Sequence, residues 1–133
     1  MPSLAVDTHA ALWYLVKSPK LTREAQARLQ AAFSAGRPVF LPSICIVEVT
    51  YLVEKGRIPL AHWKALDALL AADDSPFQVV PLDEAIARAV SRIPRSQVPD
   101  MPDRIIAATA LHLGVPLVSG DRRIRSSALE VIW

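Results

Sequence analysis

A carboxylate inside an apolar helix is costly unless an arginine, a hydrogen-bond network or a cation compensates its charge. Glu48 is such a residue. It interrupts Ile44-Cys-Ile-Val-Glu48-Val-Thr-Tyr-Leu-Val53, a segment apolar nearly all round and therefore expected to be mostly buried. Four further acids stand at the edges of apolar runs. Asp7 closes Ser3-Leu-Ala-Val6, where it can cap the next helix, ligate a metal, or do both. Asp100 and Asp103 resemble a cap and its partner in the first turn of the helix that begins Arg104-Ile-Ile-Ala-Ala, with Asp103 favoured as the residue that faces a site. Asp121 follows a buried run in Ser119-Gly-Asp121-Arg-Arg and is either a turn residue or a ligand. His9, His62, His112 and Cys45 show no zinc-like spacing. An all-oxygen set indicates a hard cation, Mg²⁺ or Mn²⁺, of the kind that shares its coordination with waters and phosphate oxygens.

These acids need a frame that gathers them. The chain alternates strand and helix signals. Strands are expected at 3–6, 39–41, 77–82, 116–119 and 129–133. Helices are expected at 8–16, from Thr22 to Gly36, from a Ser43 cap to about Lys55, at 60–72, from an Asp83 cap to about Ser91, and from Asp100 to about Gly114. Residues 92–99 read as a loop. Such alternation implies an α/β fold with a parallel sheet covered on both faces. In these sheets ligands collect beyond the carboxyl ends of the strands, near the reversal of strand order. That rule selects the loops that hold Asp7 and Asp121.

With 133 residues, 52% of them hydrophobic, the chain is expected to form a single domain, 1–133, with a real core. The lone cysteine excludes an internal disulfide and suits a reducing compartment. The longest apolar stretch, Val39 to Val53, is broken by Pro42 and Glu48, so no membrane span is expected. No basic segment precedes the first apolar run, so the expected location is cytoplasmic. Net charge is +2, and 11 of the 15 basic residues are arginine, which suits phosphate contact. Arg104, Arg122 and Arg123 are the candidates nearest the acids. Trp13, Trp63 and Trp133 read as core or edge-of-core residues.

Taken together, Asp7-Thr-His-Ala-Ala-Leu-Trp, Glu48 in an early helix, Asp103-Arg-Ile-Ile-Ala-Ala-Thr-Ala and Leu-Val-Ser119-Gly-Asp121 resemble the PIN-domain nucleases, most closely the VapC-type toxins of toxin–antitoxin pairs. The resemblance covers the whole chain, and its most specific piece is the stretch from Asp103 to Ala110. It implies a three-layer α/β/α fold with a five-stranded parallel sheet. It also implies Mg²⁺- or Mn²⁺-dependent endoribonuclease activity leaving a 3′-hydroxyl and a 5′-phosphate, homodimerisation, and a cognate antitoxin partner. By match, Asp7, Glu48, Asp103 and Asp121 take the acidic positions, while Thr8 and Ser119 take small hydroxyl positions able to hold water or phosphate. Two departures stand out. Ser119-Gly-Asp121 with Ile124 replaces the family's Thr-x-Asp followed by an aromatic, and His9 stands where a small polar residue is frequent. A non-catalytic PIN-like module that binds RNA or protein is the main alternative. A receiver-type protein would need an acid beside Asp7 and a late lysine, and a haloacid-dehalogenase-like phosphatase would need an acid at position 9; the chain has none of these.

Overall fold

The structure is a computed structural model that describes residues 3–133. Five short strands, β1 (Leu4–Val6), β2 (Val39–Pro42), β3 (Phe77–Val80), β4 (Leu117–Val118) and β5 (Val131–Ile132), form one sheet in the order β3-β2-β1-β4-β5. Every pairing is parallel. Leu4, Ala5 and Val6 are consecutive, and all are buried. Successive side chains on a strand point to opposite faces, so both faces of the sheet are covered. The covering elements are α1 (Thr8–Leu15), α2 (Arg23–Ser34), α3 (Ile44–Glu54), α4 (Leu60–Ala71), α5 (Glu84–Ala89) with a one-turn 3₁₀ extension to Arg92, and α6 (Met101–Leu113). The fold is therefore the α/β architecture expected, with shorter third, fourth and fifth strands than the apolar runs suggested. Among the described residues no helix is long and apolar enough to cross a membrane.

Side-chain caps open three of the six α-helices. Asp7 caps α1 by accepting from the Ala10 N–H at 2.9 Å, Thr22 caps α2 through Ala25, and Asp83 caps α5 through Ile86. Gly114 ends α6 in the left-handed conformation, φ +69°, that a side chain would strain. Two expected caps are absent. Ser43 has helical dihedrals and makes no capping bond; its hydroxyl instead accepts from the Leu82 N–H at 3.1 Å, tying the end of β2 to the segment after β3. Asp100 occupies the cap position of α6 in extended backbone, but its side chain makes no capping bond.

The core is built from the strands together with Ala10 and Ala11 of α1, Ala25 and Leu29 of α2, and Ile106 to Ala108 of α6. Small residues let α1 and α6 lie close to the sheet, which brings their N-termini to one edge. A second cluster of Leu12, Val49 and Leu66 joins α1, α3 and α4. The expectation that α3 is buried nearly all round is corrected here. Only Cys45 and Val49 are buried, whereas Val47 and Tyr51 are 49% and 58% exposed. Apolar residues beyond those the monomer's core can cover leave an open face beside Glu48. The three tryptophans are all partly buried, as expected at the edge of a core.

Candidate active site

Strand order reverses at β1, because the chain first builds outward through β2 and β3 and then returns to the other side of β1 with β4 and β5. The carboxyl ends of β1 and β4 therefore flank the crevice where α/β folds bind ligands. Asp7 follows β1 directly, and its N–H donates to the Val118 carbonyl on β4 at 3.2 Å. Its carboxylate is divided between two jobs. Oδ1 caps α1, and Oδ2 accepts from the Ser119 hydroxyl at 2.5 Å. The Ser119 oxygen in turn accepts from the Asp121 N–H at 3.1 Å. A hydrogen-bonded chain thus links the turn after β4 to the acid after β1, across 112 residues of sequence.

Thr8, the next residue, donates its hydroxyl to Glu48 Oε1 at 2.7 Å and also meets the buried Cys45 thiol. Glu48 is half-buried and makes no ion pair with an arginine. Its partner is the helix start that Asp7 caps, so α3 is pinned to the end of β1. Both small hydroxyls therefore hold acids in place. Asp103, in the first turn of α6, is only 5% exposed, and its Oδ2 is buried with no hydrogen-bond partner among the described residues. A buried carboxylate oxygen without a donor is rare and calls for a ligand, a water or a proton.

The acids act on one another. Burial pushes Asp103 up to about 7, with Asp121, Asp100 and Glu48 adding repulsion. Burial likewise raises Asp7 to about 6 against the opposing pull of Ser119 and Ala10, and Asp121 adds to the rise. Glu48 is raised by burial, opposed by its bond from Thr8, with a further contribution from Asp7. Asp121 behaves differently. Burial works to raise it, but the side-chain and backbone bonds from Arg123 outweigh that and hold it below the usual range. Its carboxylate is gripped in fork geometry by Arg123 Nε at 3.1 Å and Nη2 at 3.0 Å.

Asp7, Glu48, Asp103 and Asp121 therefore share one electrostatic neighbourhood, with Asp100 exposed at its margin. They do not form a finished cage. Among the described residues no three His, Cys, Asp or Glu side chains are grouped closely enough to hold a metal ion by themselves. The donors nevertheless fit a hard cation: all are oxygens, three are raised by burial and by neighbouring acids, and one buried oxygen lacks a partner.

The basic candidates divide. Arg122 and Arg123 are exposed beside the acids. Arg104 is committed elsewhere, which corrects its expected role in phosphate contact. Its Nε and Nη2 donate to the Ile93 carbonyl at 3.2 and 2.8 Å, and Nη2 also to that of Val90 at 3.1 Å. It fastens α6 to the end of the 3₁₀ turn. Two residues gain a place that their local sequence did not suggest. His9 is exposed within reach of the charges of Glu48 and Asp121. Trp133 lies against Gly120 in the Asp121 turn, a contact between strand ends that no short-range pattern encodes. Ile124 is fully buried where the family pattern places an aromatic, so this loop keeps an apolar anchor.

The PIN domain family model matches residues 4–128, nearly the whole of this parallel α/β sheet and its helices. The chain belongs to the PIN domain family. It is 29% identical over 126 residues to Ribonuclease VapC22 of Mycobacterium tuberculosis, spanning 95% of this chain and 92% of that protein. Its fold is similar to chains in two DNA-bound complexes. One is VapBC2 from Rickettsia felis, with a TM-score of 0.71, 16% identity and coverage of 97% and 96% of the two chains. The other is VapBC from Salmonella typhimurium, with a TM-score of 0.70, 20% identity and coverage of 98% and 97%.

Proposed function

We propose that this protein is a Mg²⁺- or Mn²⁺-dependent endoribonuclease that hydrolyses RNA phosphodiester bonds, and that it acts in the cytoplasm as the toxin of a type II toxin–antitoxin pair. The observation that carries the reading is the unpartnered, buried Asp103 Oδ2 set among three other acids at the end of the central strands. Its relative's name, a ribonuclease, supports the reaction class, and the complexes in which its structural neighbours were solved support a cognate antitoxin.

Asp7, Asp103 and Asp121 are the groups that would hold the cation, with Glu48 joining directly or through water. A bound divalent ion would supply charge neutralisation, polarisation of a phosphoryl oxygen and a bound water of lowered pKa. The chain's own residues do the rest. Ser119 holds Asp7 Oδ2 by its hydroxyl, a bond that favours the ionised carboxylate and fixes its orientation. Thr8 fixes Glu48, leaving Glu48 Oε2 free of that bond to orient an attacking water or take its proton. Arg122, exposed at the rim, is the basic residue we assign to a phosphate flanking the scissile bond, whereas Arg123 would have to release the Asp121 carboxylate to do the same.

The absence of a closed three-acid cage among the described residues favours one other reading, a PIN-like module that binds RNA or protein without cutting. A single assay separates the two. Wild type and Asp7→Asn, each shown folded by circular dichroism, are incubated with single-stranded RNA and Mn²⁺. Cleavage by wild type that requires the metal and falls by at least about tenfold in the variant is the expected result. Equal cleavage by both removes Asp7 from the site, and metal binding without cleavage by wild type establishes the non-catalytic reading.

A further inference from the structure

Gly120 separates the two residues that position one arm of the site, Ser119 and Asp121. Its backbone is outside the left-handed region, so a need for unusual dihedrals does not account for a glycine here. Space does. A Cβ built on Gly120 would lie 2.5 Å from Cε2 and 2.6 Å from Cζ2 of the Trp133 indole, closer than side chains pack. The ring is seated against the turn. Beside it stands Trp13 of α1, at a centroid distance of 5.7 Å and a tilt of 53°. The backbone of the same segment is tied in as well, since the Ser119 N–H donates to the Ile132 carbonyl at 3.1 Å.

Trp133 therefore stands between the helix capped by Asp7 and the turn that carries Asp121. We propose that Trp133 is a positioning residue: through Gly120 on one side and Trp13 on the other, its indole sets the separation at which Asp121 is presented to Asp7. This rests on the reading of those acids as one site. Without the ring, the turn keeps the Ser119 bonds to Asp7 and Asp121 and its Arg123 grip, but loses the packing that holds Gly120 at its distance from Trp13 of α1. The small Gly120 and the large Trp133 are one fitted pair.

The test uses the full chain as Trp133→Ala, Trp133→Phe, Gly120→Ala and the Gly120→Ala/Trp133→Ala double variant. Amide exchange by NMR on metal-free protein reads the Asp121 N–H, which is bonded to Ser119 Oγ, against the Asp7 N–H, which is bonded to Val118. Calorimetry with Mn²⁺ alone reads affinity, and RNA cleavage is resolved into kcat and KM. In Trp133→Ala and Gly120→Ala the Asp121 amide exchanges faster while that of Asp7 does not change. Mn²⁺ affinity and kcat each fall on the order of tenfold to a hundredfold, with KM for RNA near wild type. Trp133→Phe retains most of both. Adding Gly120→Ala to Trp133→Ala costs nothing more, because the ring that would collide is gone. Should Trp133→Ala fail to fold, Gly120→Ala and Trp133→Phe decide the matter by the same readings. Unchanged Asp121 exchange and Mn²⁺ affinity in folded Gly120→Ala, or strictly additive losses in the double variant, overturn the proposal. Altered exchange and metal affinity in a protein that never cuts RNA would uphold the positioning role while removing the nuclease reading.

Discussion

Asp103 and Asp7 oppose folding whenever they are ionised without a compensating charge. In the unfolded chain each titrates near 3.8, whereas the fold raises them to about 7 and about 6. Between those limits the folded state binds more protons than the unfolded one. Stability therefore falls as pH rises from about 4 to about 7 and levels off above. Each carboxyl that is protonated in the folded state and ionised in the unfolded one costs about 1.4 kcal/mol for every pH unit crossed. Asp121 has the opposite sign: its lowered pKa contributes stability above the unfolded value that is lost as pH falls, but its partly exposed pair with Arg123 makes that contribution small. Metal-free protein should accordingly melt at a lower temperature at pH 7.5 than at pH 5.5, and Asp103→Asn should flatten the profile and melt above wild type at pH 7.5. Mg²⁺ added at pH 7.5 should raise the melting temperature of wild type and do little for Asp103→Asn. Thermal denaturation over a pH series, with and without Mg²⁺, measures all of this. A wild-type profile that rises toward pH 7.5, or an equal Mg²⁺ effect on both proteins, would show that Asp103 is relieved in some other way.

At the scale of elements, the join between α6 and the 3₁₀ turn depends on Arg104. Its guanidinium satisfies the carbonyls of Val90 and Ile93, and hydrogen bonds from a charged donor contribute about 1.5–3 kcal/mol. Arg104→Met should lower unfolding free energy by about 2 kcal/mol in a urea titration, while KM for RNA changes little at a temperature where the variant is folded. A large rise in KM with stability intact would return Arg104 to the phosphate-binding set. The same residue shows where sequence reading stops. The helix bearing Asp103, its glycine stop and the caps at Asp7, Thr22 and Asp83 are legible because each rests on chemistry within four residues. That Asp7 and Asp121 come near one another is legible too, since strand ends in an alternating α/β pattern fall on one side of a parallel sheet. Arg104 binds carbonyls of an irregular segment, Ser43 turns its hydroxyl to Leu82 from 39 residues away, and Trp133 fills the space above Gly120. Those contacts depend on packing angles that composition and periodicity do not carry. The exposed side of α3 escapes a sequence reading for a related reason: an apolar helix face looks the same in sequence whether the monomer's own core or another surface covers it.

That open face is the feature of the whole molecule that the monomer leaves unexplained. Val47 and Tyr51 on α3 and Met101 at the start of α6 are 49%, 58% and 66% exposed, and they line one cavity of about 350 Å³ with Ile44, Leu52 and Pro102 beside Glu48. Large apolar side chains gathered around a concavity mark an interaction surface more often than solvent-facing chance. Homodimerisation is the expectation that the family resemblance supplies, and this face suits it: a two-fold contact here would cover the apolar side of α3 and bring the two Glu48-bearing helices together. Two acid clusters would then lie along a shared surface able to meet a single RNA strand. Sedimentation velocity at micromolar concentration should find wild type as a dimer and Tyr51→Glu as a folded monomer, because a charge at the centre of an apolar contact is stranded without a partner. Since the four acids of each protomer come from its own chain, the monomeric variant should retain metal binding per chain, and its loss should appear in RNA affinity. A Tyr51→Glu protein that still sediments as a dimer would place the interface elsewhere, and a wild type that is monomeric at all concentrations would leave this face to a different protein.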